Sequence, residues 1–326
     1  MSSTTDIFSI YSPKQFEKIA LKTFRHQFDH NPVYQQWCKL VKSDKQSVSR
    51  ITDIPFLPIS FFKTHTVISG ESPIETTFRS SGTTGVSTSA HHLTDVSLYE
   101  ASYLNGFAQF YGNIENYTVL ALLPSYLERN DSSLIYMVKD LIKKSNKVDS
   151  GFYLHNYHEL LHTLLRLDQA GENVLLIGVT YALLDLIELQ PVQLNNTIIM
   201  ETGGMKGKRK ELIREELHEQ LCHGFGVSTI HSEYGMTELL SQAYSYGNGV
   251  FECPPWMQVL LRDTDDALRY VSNGKTGGIN VIDLSNINSC SFIATQDLGK
   301  KYDNGRFEVL GRFDSSDIRG CNLMVM

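Results

Sequence analysis

Cysteine is scarce in this chain and is not arranged for paired chemistry. The five residues, Cys38, Cys222, Cys253, Cys290 and Cys321, are odd in number, and no two have C-x-x-C spacing. This excludes a disulfide framework or a thiolate zinc site as the organising feature, and reduced thiols in a cytoplasm are expected. A basic surplus is lacking as well. The net charge is -7 and the longest basic run is Lys206-Gly-Lys-Arg-Lys210. Nucleic acid is therefore disfavoured as a main partner, and so is an electrostatic grip on anionic membrane. No apolar run reaches the ~20 residues of a spanning helix. The opening Met-Ser-Ser-Thr-Thr-Asp has neither the positive nor the apolar segment of a secretory leader. Internal repeats and low-complexity linkers are missing too.

What is present describes a folded globular protein. The chain has 326 residues, 41% hydrophobic and 20% charged, enough for one large domain or two ordinary ones. One stretch draws attention first: Arg-Ser-Ser-Gly-Thr-Thr-Gly, from Arg79 to Gly85. Ser80, Ser81, Thr83 and Thr84 supply hydroxyls. Gly82 and Gly85 let the backbone turn and expose N–H groups to an anion. This is the chemistry of a phosphate cradle, without the Gly-Lys-Ser/Thr ending of a Walker A loop. Taken alone, so short a stretch reads more readily as an ordinary polar loop.

The remainder of the chain supplies context. Ser12-Pro13 and Asn31-Pro32 each signal a helix start. Phe16, Ile19, Ala20 and Phe24 share the first helix's apolar face, and Val33, Trp37 and Leu40 the second's. Residues 51–78 read as an extended, proline-containing connector. His91 and His92 fall on a short strand and point to opposite faces, which reads as a solvated strand end. From residue 95 to about 230 helices and strands alternate. Helices are expected at 95–111, 133–144, 156–170, 180–189 and 208–223, the last with Ile213, Leu217 and Leu221 inward and Gly224 closing it. Strands are expected at 117–123, 174–179, 197–200 and 227–230. That alternation predicts a mainly parallel sheet with helices packed on it, and ligands beyond the carboxyl ends of its strands. Two loops fall there: Glu201-Thr-Gly-Gly204 and Ser232-Glu-Tyr-Gly-Met-Thr-Glu238. Each is equally explained as a tight strand-to-helix turn. From Val250 short strands at 257–262, 267–271, 278–284, 291–297 and 306–312, separated by Asn-Gly and Gly-Gly turns, predict a small antiparallel unit, a barrel or a twisted sheet.

Five segments thus stand in order: Ser80–Gly85, Gly203-Gly204, Tyr234-Gly-Met-Thr-Glu238, Thr295-Gln-Asp297 and Gly311-Arg312. This order resembles the large domain of the ANL superfamily of adenylate-forming enzymes. Within it the chain is most similar to the acyl-protein synthetase (LuxE) family, through Ile54–Lys63, Glu201–Lys206, Cys253-Pro-Pro-Trp-Met257 and Gly311–Val325. The resemblance runs from about residue 50 onward. It implies an α/β fold: one ANL-type large domain over 1–326, with helices on mainly parallel sheets plus a small antiparallel, barrel-like C-terminal unit. Its parts would be a helical region and connector (1–78), an α/β nucleotide-binding core (79–249), and the β unit with its tail (250–326).

The resemblance also implies a ligase that activates a fatty or other carboxylic acid with ATP and Mg²⁺, and an acyl-accepting or reductase partner protein. Ser80, Ser81, Gly82, Thr83, Thr84 and Gly85 would hold the β- and γ-phosphates. Gly203 and Gly204 would let the nucleotide lie on bare backbone, as would Gly235. Tyr234 would stack on adenine, Thr237 reach the α-phosphate, and Glu238 hold Mg²⁺. Asp297 would take the ribose hydroxyls and Arg312 ribose or phosphate charge; both also read as turn residues at strand ends. Cys321, close to the C-terminus as in the family, is the expected acyl acceptor, with a small hydrophobe in a final strand as its plain alternative. Most ANL members continue into a small lid domain that carries a lysine to the site. Only fourteen residues follow Arg312, so that lid is expected to be absent, with Lys63, Lys206 and Lys208 as substitute cations. An acyl-CoA ligase or acyltransferase, and a non-catalytic nucleotide- or acyl-binding partner, are the competing readings.

Overall fold

The computed structural model describes residues 7–80, 88–124, 131–154, 156–203 and 212–313. In chain order these form α1 (Pro13–His30), α2 (Pro32–Leu40), β1 (Leu57–Pro58), β2 (Thr76–Arg79), β3 (Ala90–Leu93), α3 (Val96–Tyr111), β4 (Thr118–Leu122), α4 (Ser133–Ser145), β5 (Gly151–Phe152), α5 (Tyr157–Gln169), β6 (Val174–Gly178), α6 (Thr180–Leu189), β7 (Thr197–Glu201), α7 (Arg214–Phe225) and β8 (His231–Tyr234). Six more strands follow: β9 (Ala243–Ser245), β10 (Val250–Glu252), β11 (Met257–Arg262), β12 (Thr276–Asp283), β13 (Phe292–Lys301) and β14 (Phe307–Arg312). The architecture is mixed α/β, and the chain divides into two compact units.

The first unit takes residues 1–76, 84–96 and 255–326. Helix α1 starts where Ser12 accepts from the Gln15 N–H and Pro13 presets the first turn. Asn31 caps α2 by accepting from the Tyr34 N–H at 2.9 Å. The face of α2 that enters the core is Tyr34 and Cys38, not Val33, Trp37 and Leu40; Leu40 is 67% exposed. Tyr34 decides the rotation, since its hydroxyl donates to the Pro55 carbonyl and its ring stacks on Phe292. Strands β11 to β14 form an antiparallel sheet in simple order, with β1 running parallel to β13. Of the two expectations, barrel or sheet, the described residues show the sheet. Residues 267–271 make a single bridge, Tyr270 to Arg262, in place of the expected strand. His91 is fully buried rather than solvated; its Nε2 lies 3.1 Å from Asn286 Oδ1. A buried polar group needs such a partner.

The second unit takes residues 77–83 and 97–254. Its strands run in the order β5-β4-β6-β7-β8-β9-β10. Strands β4 to β8 pair in parallel, and β9 and β10 add antiparallel. Strands β4 and β6 are buried along their whole length, as continuous apolar runs covered on both faces must be. Helix α7 begins at Arg214, and Ile213, expected to point inward, is 63% exposed at its N-cap. Gly226 in the left-handed conformation ends it, not Gly224. Gly224 lies inside the helix, where a Cβ would come within 2.6 Å of Ile187 on α6. The next strand is His231–Tyr234, four residues beyond the apolar run expected as a strand at 227–230. The Val227 N–H instead closes the helix onto the Cys222 carbonyl.

Candidate active site

In the second unit β7 and β8 end side by side, with Glu201 paired to Ser232 in parallel register. Helices α6 and α7 flank them. Glu201 is buried, and four neighbours converge on its carboxylate. The Gly203 N–H donates to Oε2 at 2.7 Å and the Thr180 hydroxyl to the same atom at 3.3 Å. Arg214 Nη1 donates to Oε1 at 2.9 Å and to Ser232 Oγ at 3.3 Å. His218 Nε2 stands 3.7 Å from Oε1, beyond hydrogen-bond reach, and has no hydrogen-bond partner among the described residues.

Burial alone would raise the Glu201 carboxyl. The nearby His218, the Arg214 charge, the Ser232 hydroxyl and the Gly203 N–H outweigh it and bring the value down to about 2. Glu201 is therefore ionised and fixes the turn that follows β7. The Thr180 N–H donates to the Gly203 carbonyl, and the Thr202 N–H to Gly178. Gly203 has φ +74°, so the turn demands glycine there. Arg214 also stacks over Phe251, and any Cβ on Gly249 would overlap its side chain.

Beside this ionised carboxylate, Glu233 behaves oppositely. It is half-buried, and burial followed by the Glu201 charge pushes its carboxyl up to about 8. Two acids whose environments drive them apart make this cluster a candidate site. Tyr234 is buried with its ring 5.9 Å from Phe251. Gly235 carries no side chain where a Cβ would overlap Glu233 Oε1 and stand 3.4 Å from Gln242 Cγ. Thr237 is half-buried and Glu238 buried at 5% exposure. The site residues expected at 201–203 and 234–238 thus lie on adjoining strand ends of one sheet.

In the first unit, Asp297 on β13 faces Arg312 on β14 in direct register, Oδ1 to Nε 3.4 Å. Asp297 is 7% exposed, whereas the Arg312 side chain is 61% exposed. Arg262 braces this corner by donating to the carbonyls of Ile279 and Thr295 and to Asn280 Oδ1. Ser80 is half-buried at the end of β2. Ser81, Gly82, Thr83, Thr84, Gly85, Gly204, Lys206, Lys208 and Cys321 lie outside the described residues.

The sequence matches the family described as acyl-protein synthetase, LuxE, over residues 10–101 and 140–326. The chain belongs to the LuxE acyl-protein synthetase family. Two curated relatives are named long-chain-fatty-acid--luciferin-component ligase. That of Aliivibrio fischeri is 22% identical over 338 residues, covering 94% of this chain and 86% of its own. That of Photorhabdus luminescens is 41% identical over 71 residues, 22% of this chain and 60% of its own. ATP-bound MatB from Rhodopseudomonas palustris shares the fold at TM-score 0.57 and 17% identity, over 74% of this chain and 49% of that one. 2-Hydroxyisobutyryl-CoA ligase with a bound adenylate, R3-HIB-AMP, does so at TM-score 0.65 and 12% identity, over 92% and 68%. This LuxE-family chain therefore shares the α/β fold of these two structures, and it spans about half the length of MatB. No helix among its described residues is long and apolar enough to cross a membrane.

Sequence reasoning did not single out Glu201 as a side chain, nor Arg214, His218, Glu233 or Gln242. The available signals were a glutamate ending an apolar strand run, and a second one inside the Ser-Glu-Tyr-Gly motif.

Proposed function

We propose that this chain activates a carboxylic acid with ATP and passes the acyl group to a cysteine thiol. One acid oxygen attacks the α-phosphorus and pyrophosphate leaves. A thiolate then attacks the acyl carbon and AMP leaves. The observation that carries the reading is the pair of motif loops at the adjoining carboxyl ends of β7 and β8, where open α/β sheets bind ligands. Glu201 holds the Gly203 turn open for the nucleotide. Tyr234, Gly235 and Thr237 are assigned to adenine and the α-phosphate. Ser80 to Gly85 and Gly204 are assigned to phosphate and backbone contacts, and Asp297 and Arg312 to ribose and charge. These roles rest on residue type and family pattern.

Mg²⁺ fits Glu238. It is a hard oxygen donor, and Mg²⁺ is bound through one or two carboxylates plus phosphate and water. Among the described residues no cluster of three or more His, Cys, Asp or Glu forms a metal cage. When bound, the ion would neutralise charge on the phosphates. Cys321 is assigned as the acyl acceptor, and the partner that next receives the acyl group is a protein.

Acid-dependent ATP–pyrophosphate exchange by the purified chain tests the first half-reaction. Acyl label that survives denaturation and is released by hydroxylamine tests the second. A Cys321→Ser variant should keep exchange and lose label. Absence of both ATP binding and exchange with any acid would sink the proposal.

A further inference from the structure

Strands β7, β8, β9 and β10 carry one row of in-register residues: Glu201 opposite Ser232, Ser232 opposite Ser245, and Ser245 opposite Phe251. Side chains directly opposed in this way share a face of the sheet. Ser232 and Ser245 are small and fully buried, so the row is low in the middle and tall at its two ends. Arg214 of α7 lies over it. Its Nη1 donates to Glu201 Oε1 at 2.9 Å and to Ser232 Oγ at 3.3 Å. Its guanidinium carbon stands 5.3 Å from the centroid of the Phe251 ring. Gly249, with φ +65°, turns β9 into β10 and leaves the space of a side chain to Arg214.

Local preference does not put an arginine at this place. Arg214 is the first residue of α7, where the helix dipole disfavours a cation. Ile213 at the N-cap makes no side-chain hydrogen bond. A helix start that breaks local rules is expected where its residues serve a site. From there Arg214 reaches the base of both motif loops. Through Glu201 it fixes the turn after β7, since the Gly203 N–H donates to the other carboxylate oxygen at 2.7 Å. Through Phe251 it backs Tyr234, whose ring centroid is 5.9 Å from that of Phe251. Tyr234 stands two residues after Ser232 on β8 and so shares its face.

We propose that Arg214 is a positioning residue for ATP: its one guanidinium holds the Gly203 turn and the Tyr234 loop in the placement that nucleotide binding needs, without itself touching the nucleotide. The inference rests on the acid-activation reading and extends it to a residue outside both motifs. The planar guanidinium bonds a carboxylate and a hydroxyl at its edge while its face lies on an aromatic ring. A lysine ammonium supplies the charge but not the three contacts together.

The test is ATP affinity by equilibrium dialysis, together with ATP–pyrophosphate exchange by the full chain with tetradecanoate. Arg214→Gln should weaken ATP binding and raise the KM for ATP by about tenfold or more, since misplacing a group by about 1 Å can cost about a hundredfold. At saturating ATP, kcat and the KM for tetradecanoate should stay within about threefold, the pattern of lost uniform binding. Arg214→Lys should keep most of the defect. The Arg214 side chain is 29% exposed, so its place can be filled from solvent: added methylguanidinium should restore ATP affinity to Arg214→Ala, and methylammonium should not. Glu201→Gln placed in the Arg214→Gln chain should weaken ATP no further, because the two residues act through one bond. That double variant serves if Arg214→Gln alone fails to give a cooperative thermal melt. Unchanged ATP affinity in folded variants, kcat and acid KM moving as far as the KM for ATP, or equal rescue by both amines overturns this inference alone. Wild type that neither binds ATP nor exchanges overturns it together with the activation reading. Wild type that binds ATP without exchange leaves dialysis to decide it by the same tenfold criterion.

Discussion

A Glu201→Gln variant keeps the side chain's shape and an acceptor for the Gly203 N–H, but removes the charge that faces Arg214 and His218. The magnitude follows from the carboxyl. Its fall from an ordinary 4.5 to about 2 corresponds, at 1.36 kcal/mol per tenfold, to roughly 3 kcal/mol of stabilisation of the ionised form. Breaking a buried pair from one side costs about 3–5 kcal/mol by another route, because the partner charge is left uncompensated. The two routes agree, so a loss of about 3 kcal/mol is expected at pH 7. The folded value is depressed, so this contribution is present above pH 4.5 and is lost as pH falls towards about 2. The gap between wild type and variant should shrink across that window. Trp37 and Trp256 both belong to the other unit, so tryptophan fluorescence is the wrong probe. Urea unfolding followed by far-UV circular dichroism, or amide exchange in α7, reads the right unit. A drop in midpoint of about 1–3 M urea is expected for ordinary m-values. Removing Arg214 as well should recover part of the loss, since the unpaired charge goes with it. A single-variant loss under about 0.5 kcal/mol, the size of a surface pair, or strict additivity in the double variant, would refute the reasoning.

Three further outcomes are expected. Glu233 has a raised value, so it favours the fold below pH 4.5 and the fold loses that contribution as pH climbs to about 8; Glu233→Gln should therefore be more stable than wild type at pH 8 in urea titrations and equal to it at pH 4. Glu238→Gln should lower Mg²⁺-dependent pyrophosphate exchange by about tenfold or more, since interactions with charged groups run to about 1.5–3 kcal/mol, and unchanged exchange would remove Glu238 from the metal. Gly224→Ala sets a gain in helix propensity of about 1 kcal/mol against overpacking on the β-branched Ile187, about 1–3 kcal/mol; a net loss in urea melts is expected, and a net gain would mean that Ile187 moves aside freely.

Helix starts were legible because their causes are local. Ser12 with Pro13, and Asn31 with Pro32, carry both the capping oxygen and the preset φ within a few residues. The alternation of helix and strand from α3 to β8 was legible for a related reason. Strands buried on both faces read as nearly continuous apolar runs, as β4 and β6 do. Helix faces and strand edges were harder. In α2 the choice between Leu40 and Tyr34 depends on Phe292 and Pro55, which no helical period reveals. The strand expected at 227–230 falls four residues before β8, because His-Ser-Glu-Tyr lacks an apolar run. Its side chains serve contacts with Arg214, Tyr111 and Phe251 instead of a hydrophobic layer.

The candidate site divides along the same line. Its loops were legible, because glycine and hydroxyl residues at the ends of apolar runs have a backbone reason to be there. The carboxylates were not. Glu201 reads as the first letter of a turn, and its role appears only when Arg214 and His218 arrive from a helix whose start was misplaced. Once they do, burial together with the ionised Glu201 accounts for its neighbour. A second carboxyl at the end of the adjoining strand, half-buried and beside a fixed negative charge, is driven towards its protonated form. Gly235 then has a reason beyond backbone freedom, since any side chain there would occupy the space of the Glu233 carboxyl. The glycine of the motif and the uncharged acid thus belong to one arrangement. Burial first, and the Glu201 charge after it, keep the Glu233 carboxyl protonated.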